Sequence, residues 1–78
     1  MEMKWIKTEE MLENLRKEPG VEQQYALHLG GFLRSTHWLI YDPEKDLYGD
    51  SMDWDEYAWF TREEFLEMRA GWWWCREH

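Results

Sequence analysis

The hydrophobic positions of this chain change period three times along its length, and each change marks a boundary between elements. In the N-terminal quarter Met11, Leu12 and Leu15 recur at helical spacing. The spacing predicts a helix over 9–18 with Thr8 as its cap. Glu9 and Glu10 fall in its first turn and Arg16 and Lys17 in its last, which suits the helix dipole, and Pro19-Gly20 stops it. The pattern then shortens to alternation. Segments 23–29 and 36–41 read as strands, with Gly30-Gly31 as a turn or bulge between them. Asp42-Pro43-Glu44-Lys45-Asp46 reads as a hairpin loop in which proline fixes φ. Segments 47–50 and 56–60 are two further short strands.

Helical spacing returns at Thr61-Arg62-Glu63-Glu64, a capping box in which hydroxyl and carboxylate each satisfy the other residue's amide. Phe60 and Phe65 flank it at the two staple positions. Phe65, Leu66 and Met68 give an apolar side, so a helix is expected over 62–70, and Gly71 is placed to end it in a left-handed turn. Segment 72–76 reads as a terminal strand. The element order is α-β-β-β-β-α-β: one α+β domain over 1–78, a mostly antiparallel sheet of four to five short strands, and two helices.

Trp72-Trp73-Trp74 adds a constraint on that layout. Consecutive residues of a strand point to opposite faces, so tryptophan lies on both sides of the segment. One helix on each face of the sheet would cover both sides. With one face uncovered, the exposed side is left for self-association or a partner.

Size and composition narrow the class. At 78 residues the chain supports one small core, with roughly 60–65% of its unfolded surface buried. The fourteen aromatics, seven of them tryptophan, supply much of that core. Trp5, Trp38 and Trp59 fall at expected core positions. The single cysteine, Cys75, allows no internal disulfide, and small secreted domains usually hold several. That favours a reducing, cytoplasmic setting. No apolar run approaches the roughly 20 residues of a membrane span, and the N-terminus lacks the apolar stretch of a signal peptide.

Charge is distributed unevenly. The net charge is −8, and residues 42–56 alone carry seven acids against Lys45, a net of −6. Such a balance disfavours direct contact with nucleic acid or anionic lipid and favours a basic protein partner. Trp38, Tyr41, Tyr48, Trp54, Tyr57, Trp59 and Phe60 lie in and around the acidic stretch. It has three readings. One is a solvated hairpin with aromatics inward and carboxylates outward. Another is a docking surface on which Asp46, Asp50, Asp53, Asp55 and Glu56 imitate a phosphate backbone. Trp54, between two aspartates, is then the anchor, with Tyr48 and Tyr57 next, because Trp and Tyr dominate binding hot spots. The third is a calcium loop around Asp50, Asp53, Asp55 and Glu56. Met52 stands there where a ligand is expected and no glycine follows at position 55, so the loop pattern is not met.

Other chemistry is weaker still. Cys75-Arg76-Glu77-His78 has C-x-x-H spacing, and His28 and His37 would have to complete a zinc site. Structural zinc sites instead show two tight ligand pairs. Cys75, Ser35 and Ser51 lack the neighbours that make a nucleophile, and no nucleophile elbow or phosphate loop is present. The sequence therefore argues for no metal, no cofactor and no enzyme.

The capped helix beginning Thr61-Arg62-Glu63-Glu64-Phe65-Leu66, the hairpin rich in Asp and Tyr, and the absence of a catalytic motif resemble the small acidic proteins of bacteriophages and mobile elements. That group includes anti-CRISPR and other anti-defence inhibitors. The resemblance lies in overall character and assigns no residue a role. It implies a stoichiometric blocker, at work in the host cytoplasm, that occupies a basic site on a nucleic-acid-handling complex. The runner-up expectation is a structural module that forms a homodimer through the exposed side of 72–74.

Overall fold

The computed structural model describes residues 4–28, 34–53 and 56–77. Eight elements follow in the order β1 (Ile6–Lys7), α1 (Thr8–Lys17), β2 (Gln23–His28), β3 (Arg34–Asp42), β4 (Leu47–Ser51), β5 (Ala58–Phe60), α2 (Arg62–Met68) and β6 (Trp73–Glu77). All six strands join one sheet in the spatial order β1-β6-β2-β3-β4-β5, and every neighbouring pair is antiparallel. The fold is α+β as the periodicity predicts, with one more strand than expected. The extra one is β1, two residues long and therefore too short to show alternation. The Gly30-Gly31 turn lies outside the described residues.

Both helices lie on the same face of the sheet, which decides between the two layouts against one helix on each face. Met11, Leu12 and Leu15 of α1 and Phe65 of α2 share a single buried cluster with Ile6, Tyr25, Leu27, Leu39, Tyr41, Tyr48 and Trp74. The strand registers explain this. Trp74 aligns with Leu27, Tyr25 with His37, and Leu39 with Asp50, so alternate residues of each strand form one inward layer. Phe65 touches that layer at two rings, Tyr48 and Trp74, with centroids 6.4 and 6.3 Å away.

The two helices begin differently. Thr61 caps α2 as its sequence predicts: its Oγ1 accepts from the Glu64 amide at 3.2 Å, and its own amide donates to the Glu64 carboxylate at 2.8 Å. Phe60 and Phe65 complete the staple, edge to face at 5.9 Å. Gly71 follows with φ 79°, the left-handed conformation that glycine adopts without penalty. At α1 the cap position is Lys7, and no side chain caps the helix. Thr8 is instead the first helical residue and is buried. Its hydroxyl donates to the Arg69 carbonyl at 2.8 Å and accepts from the Trp74 indole at 2.9 Å. The core took the hydroxyl that the sequence assigns to the helix end.

Candidate docking surface

The sheet face opposite the helices carries no covering element among the described residues. Alternation and register place Lys7, Trp73 and His28 in one row across it. A second row is Glu77, Gln24, Trp38 and Ser51, and a third is Ile40, Gly49 and Trp59. Tryptophans whose burial the sequence suggests are therefore on this face. Trp59 is 44% exposed, and Trp38 is half-buried. Trp5, also half-buried, packs its ring edge-on against His28 at 5.5 Å. Of the tryptophan triplet, Trp73 is 42% exposed on the open face, whereas Trp74 is wholly buried beneath the helices. Trp72 packs against Trp74 at 5.9 Å.

Gly49 determines how the third row is built. A Cβ at this position would lie 2.9 Å from both Trp59 Cζ3 and Tyr57 Cδ1, and 3.0 Å from Ile40 Cγ2. The two rings thus rest on bare backbone, where any side chain would displace them. They lie 5.5 Å apart with a tilt of 38°. The Tyr57 hydroxyl donates to the Glu22 carboxylate just before β2, tying the ring pair across β4 and β3 to the middle of the sheet. Burial, then this carboxylate through its hydrogen bond and charge, hold the Tyr57 phenol well above its ordinary pKa.

The acidic residues singled out from sequence separate into three groups. Asp46 and Asp42 organise the hairpin between β3 and β4. Asp42 Oδ1 accepts from the Glu44 amide at 2.9 Å, and Asp46, at φ 54°, accepts from the Tyr41 hydroxyl at 2.8 Å. Asp53 and Glu56 are exposed, and Asp53 also accepts from the Ser51 hydroxyl at 3.2 Å. Asp46, Asp53, Glu56, Glu44 and Glu22 are all exposed to solvent. Trp54 and Asp55 lie outside the described residues.

Asp50 and Tyr48 belong to the interior, which corrects their placement among partner-facing groups. Asp50 is 5% exposed and Tyr48 wholly buried. Both point inward because strand alternation puts them on the helix-covered face with Leu39 and Tyr41. Asp50 Oδ1 accepts from His37 Nδ1 at 2.7 Å, while Oδ2 accepts from Arg69 Nε at 3.0 Å and Nη2 at 2.8 Å. The Arg69 guanidinium sits in turn among the rings of Phe65, Phe60 and Trp72, at 4.7, 5.0 and 5.3 Å. The charge of Asp50 is spent inside the fold.

No group of three metal-ligating side chains forms among the described residues. His28 and His37 of the suggested zinc set lie on opposite faces of the sheet, and His78 falls outside the described residues. Among the described residues no helix is long and apolar enough to cross a membrane. No family model, curated protein or solved structure matches the chain.

The open-face tryptophans do not stand out in the sequence, because Trp38 and Trp59 sit in strands like core residues. A signal was nevertheless present. Gly49 interrupts a strand, which often marks a close approach by another group, and Tyr57-x-Trp59 repeats at the spacing of a single sheet face.

Proposed function

We propose that this protein is a protein-binding inhibitor. Its acid-bordered aromatic sheet face covers a basic, nucleic-acid-binding surface on a partner protein, in the manner of the anti-defence blockers it resembles, within a host cytoplasm. The observation that carries this reading is the ring pair of Tyr57 and Trp59 on a face with no covering element among the described residues, bonded to the exposed carboxylate of Glu22. Aromatic groups of this kind supply the desolvated centre of an interface, and a rim of one charge steers a partner of the other. Asp53 accepts from Ser51 of this face, Glu44 and Asp46 add exposed acid at the β3–β4 hairpin, and the net charge of −8 sets the sign of the long-range field.

The test starts with capture of partners by the tagged protein from nuclease-treated lysate. Each retained protein is then purified and its nucleic-acid binding measured with this protein added. The expected result is loss of that binding, with the affinity of this protein for its partner, measured without nucleic acid, falling as salt rises. A Glu44→Lys, Glu56→Lys double variant, altered only at exposed positions, should weaken the effect about tenfold or more while keeping the wild-type unfolding midpoint. An unaltered partner activity, or full potency in the double variant, counts against the proposal.

The second reading is self-association, favoured by Trp73, which stands 42% exposed at the other end of the same face. A molar mass of twice the monomer, lost in Trp73→Ala, would put this reading first.

A further inference from the structure

Several aromatic groups of this protein already hold a cation of the chain itself. Arg69 lies among Phe60, Phe65 and Trp72, Arg16 lies over Tyr41 at 5.5 Å, and Lys7 lies over Trp73 at 5.6 Å. Among the described residues, no cation sits over Tyr57 or Trp59. A carboxylate borders this pair instead: Glu22, exposed to solvent, is bonded to the Tyr57 hydroxyl. The rings are also held in place from below by the bare backbone of Gly49. An ordered π surface open to solvent with carboxylate charge at its margin is half of a familiar arrangement. The missing half is a flat cation.

Resting on the proposed function, we infer that the Tyr57–Trp59 pair with Glu22 is the seat of an arginine side chain of the partner protein. The chemistry favours arginine over lysine. A guanidinium is planar and weakly hydrated, so it can lie on the indole face while its edge N–H groups donate to a carboxylate. An ammonium is a strongly hydrated point charge and gains less from the same surface. The protein provides its own precedent on the opposite side of the sheet. There Arg69 combines three ring contacts with two donors to one oxygen of Asp50. The Tyr57 hydroxyl occupies one oxygen of Glu22 and fixes where that carboxylate points, which leaves the other oxygen as acceptor.

The experiment uses the full chain and two synthetic probes, an oligoarginine and an oligolysine of equal length, titrated at the same ionic strength. Binding is followed by calorimetry and by the backbone and indole N–H resonances. Oligoarginine should bind about tenfold more tightly and shift the signals of Trp59 and Gly49. Trp59→Ala, at an exposed position, should reduce oligoarginine to the oligolysine level, and Glu22→Gln should narrow the difference with the fold unchanged. Equal affinities in the wild type, or a preference that survives Trp59→Ala, would overturn the arginine seat and leave the basic-partner reading standing. Failure of both probes to bind would remove that reading and this inference together.

Discussion

Asp50 shows how far the position of one residue can redirect its chemistry. By sequence it is one of seven acids in a solvated stretch, and by structure it is the counter-ion of a buried guanidinium. Arg69 keeps a side-chain exposure of 12% and Asp50 3%, so neither can turn to water if the other is removed. Asp50→Ala should therefore cost about 3–5 kcal/mol, the range for breaking a buried pair by deleting one partner. That is a large share of the roughly 4–12 kcal/mol typical for a chain of this length. Urea unfolding should place the variant near the edge of stability. The Asp50→Ala, Arg69→Ala double variant should be less damaged than the sum of the two single changes, because the second deletion removes the stranded charge. Additive losses would mean that the pair does not act as a unit. Alternation made the inward direction of Asp50 legible in principle, since Tyr48 and Asp50 share a face. Its ion partner was not legible, because Arg69 sits just past the end of α2, nineteen residues away.

The helices show what local sequence settles and what packing takes over. At α2 every capping atom was readable: Thr61, Glu64, Phe60 and Phe65 form a contiguous signal, and their contacts follow from spacing alone. At α1 the same residue type takes a different role. Thr8 precedes two glutamates in good cap position, yet its hydroxyl serves Arg69 and Trp74, more than sixty residues away along the chain. No local pattern encodes such a contact. The two threonines should accordingly respond differently. Thr61→Ala should cost about 1 kcal/mol, as a lost cap does. Thr8→Val keeps the volume but strands the Trp74 indole N–H and should cost about 1–3 kcal/mol, while the Arg69 carbonyl keeps its bond from the Trp72 amide at 3.3 Å. Denaturant midpoints for both variants measure the contrast. A Thr8→Val protein as stable as wild type would show that the Trp74 indole finds another partner. Sheet order had the same limit as Thr8: six strands in the order β1-β6-β2-β3-β4-β5 put the last strand between the first two, a pairing that no single segment announces. That insertion places Trp74 in the core and Trp73 on the open face.

For the molecule as a whole, the tyrosines link the fold to pH. The phenols of Tyr25 and Tyr48 are raised chiefly by burial, that of Tyr57 by burial and then by Glu22, and that of Tyr41 by its hydrogen bond to Asp46. In each case the folded state holds its proton more tightly than the unfolded chain, whose tyrosines titrate near an ordinary value of about 10. Below that pH both states are protonated, and the contribution to stability is fully present. Above it the unfolded chain loses protons first, so ν for the unfolded state falls below ν for the folded state and stability declines as pH rises. Urea midpoints should thus be flat from neutral pH to about 9 and fall beyond about 10. Growing negative charge on an already acidic chain would give a decline of its own, so the slope needs a residue-specific control. Tyr57→Phe supplies it, because the variant keeps the ring on Gly49 and removes only the ionisable hydroxyl. Its alkaline decline should be shallower than that of wild type, while its neutral-pH stability changes only by the loss of one exposed hydrogen bond to Glu22. An identical slope in the two proteins would assign the alkaline loss to the other phenols or to overall repulsion, and would take from Tyr57 its part in coupling the open face to proton release.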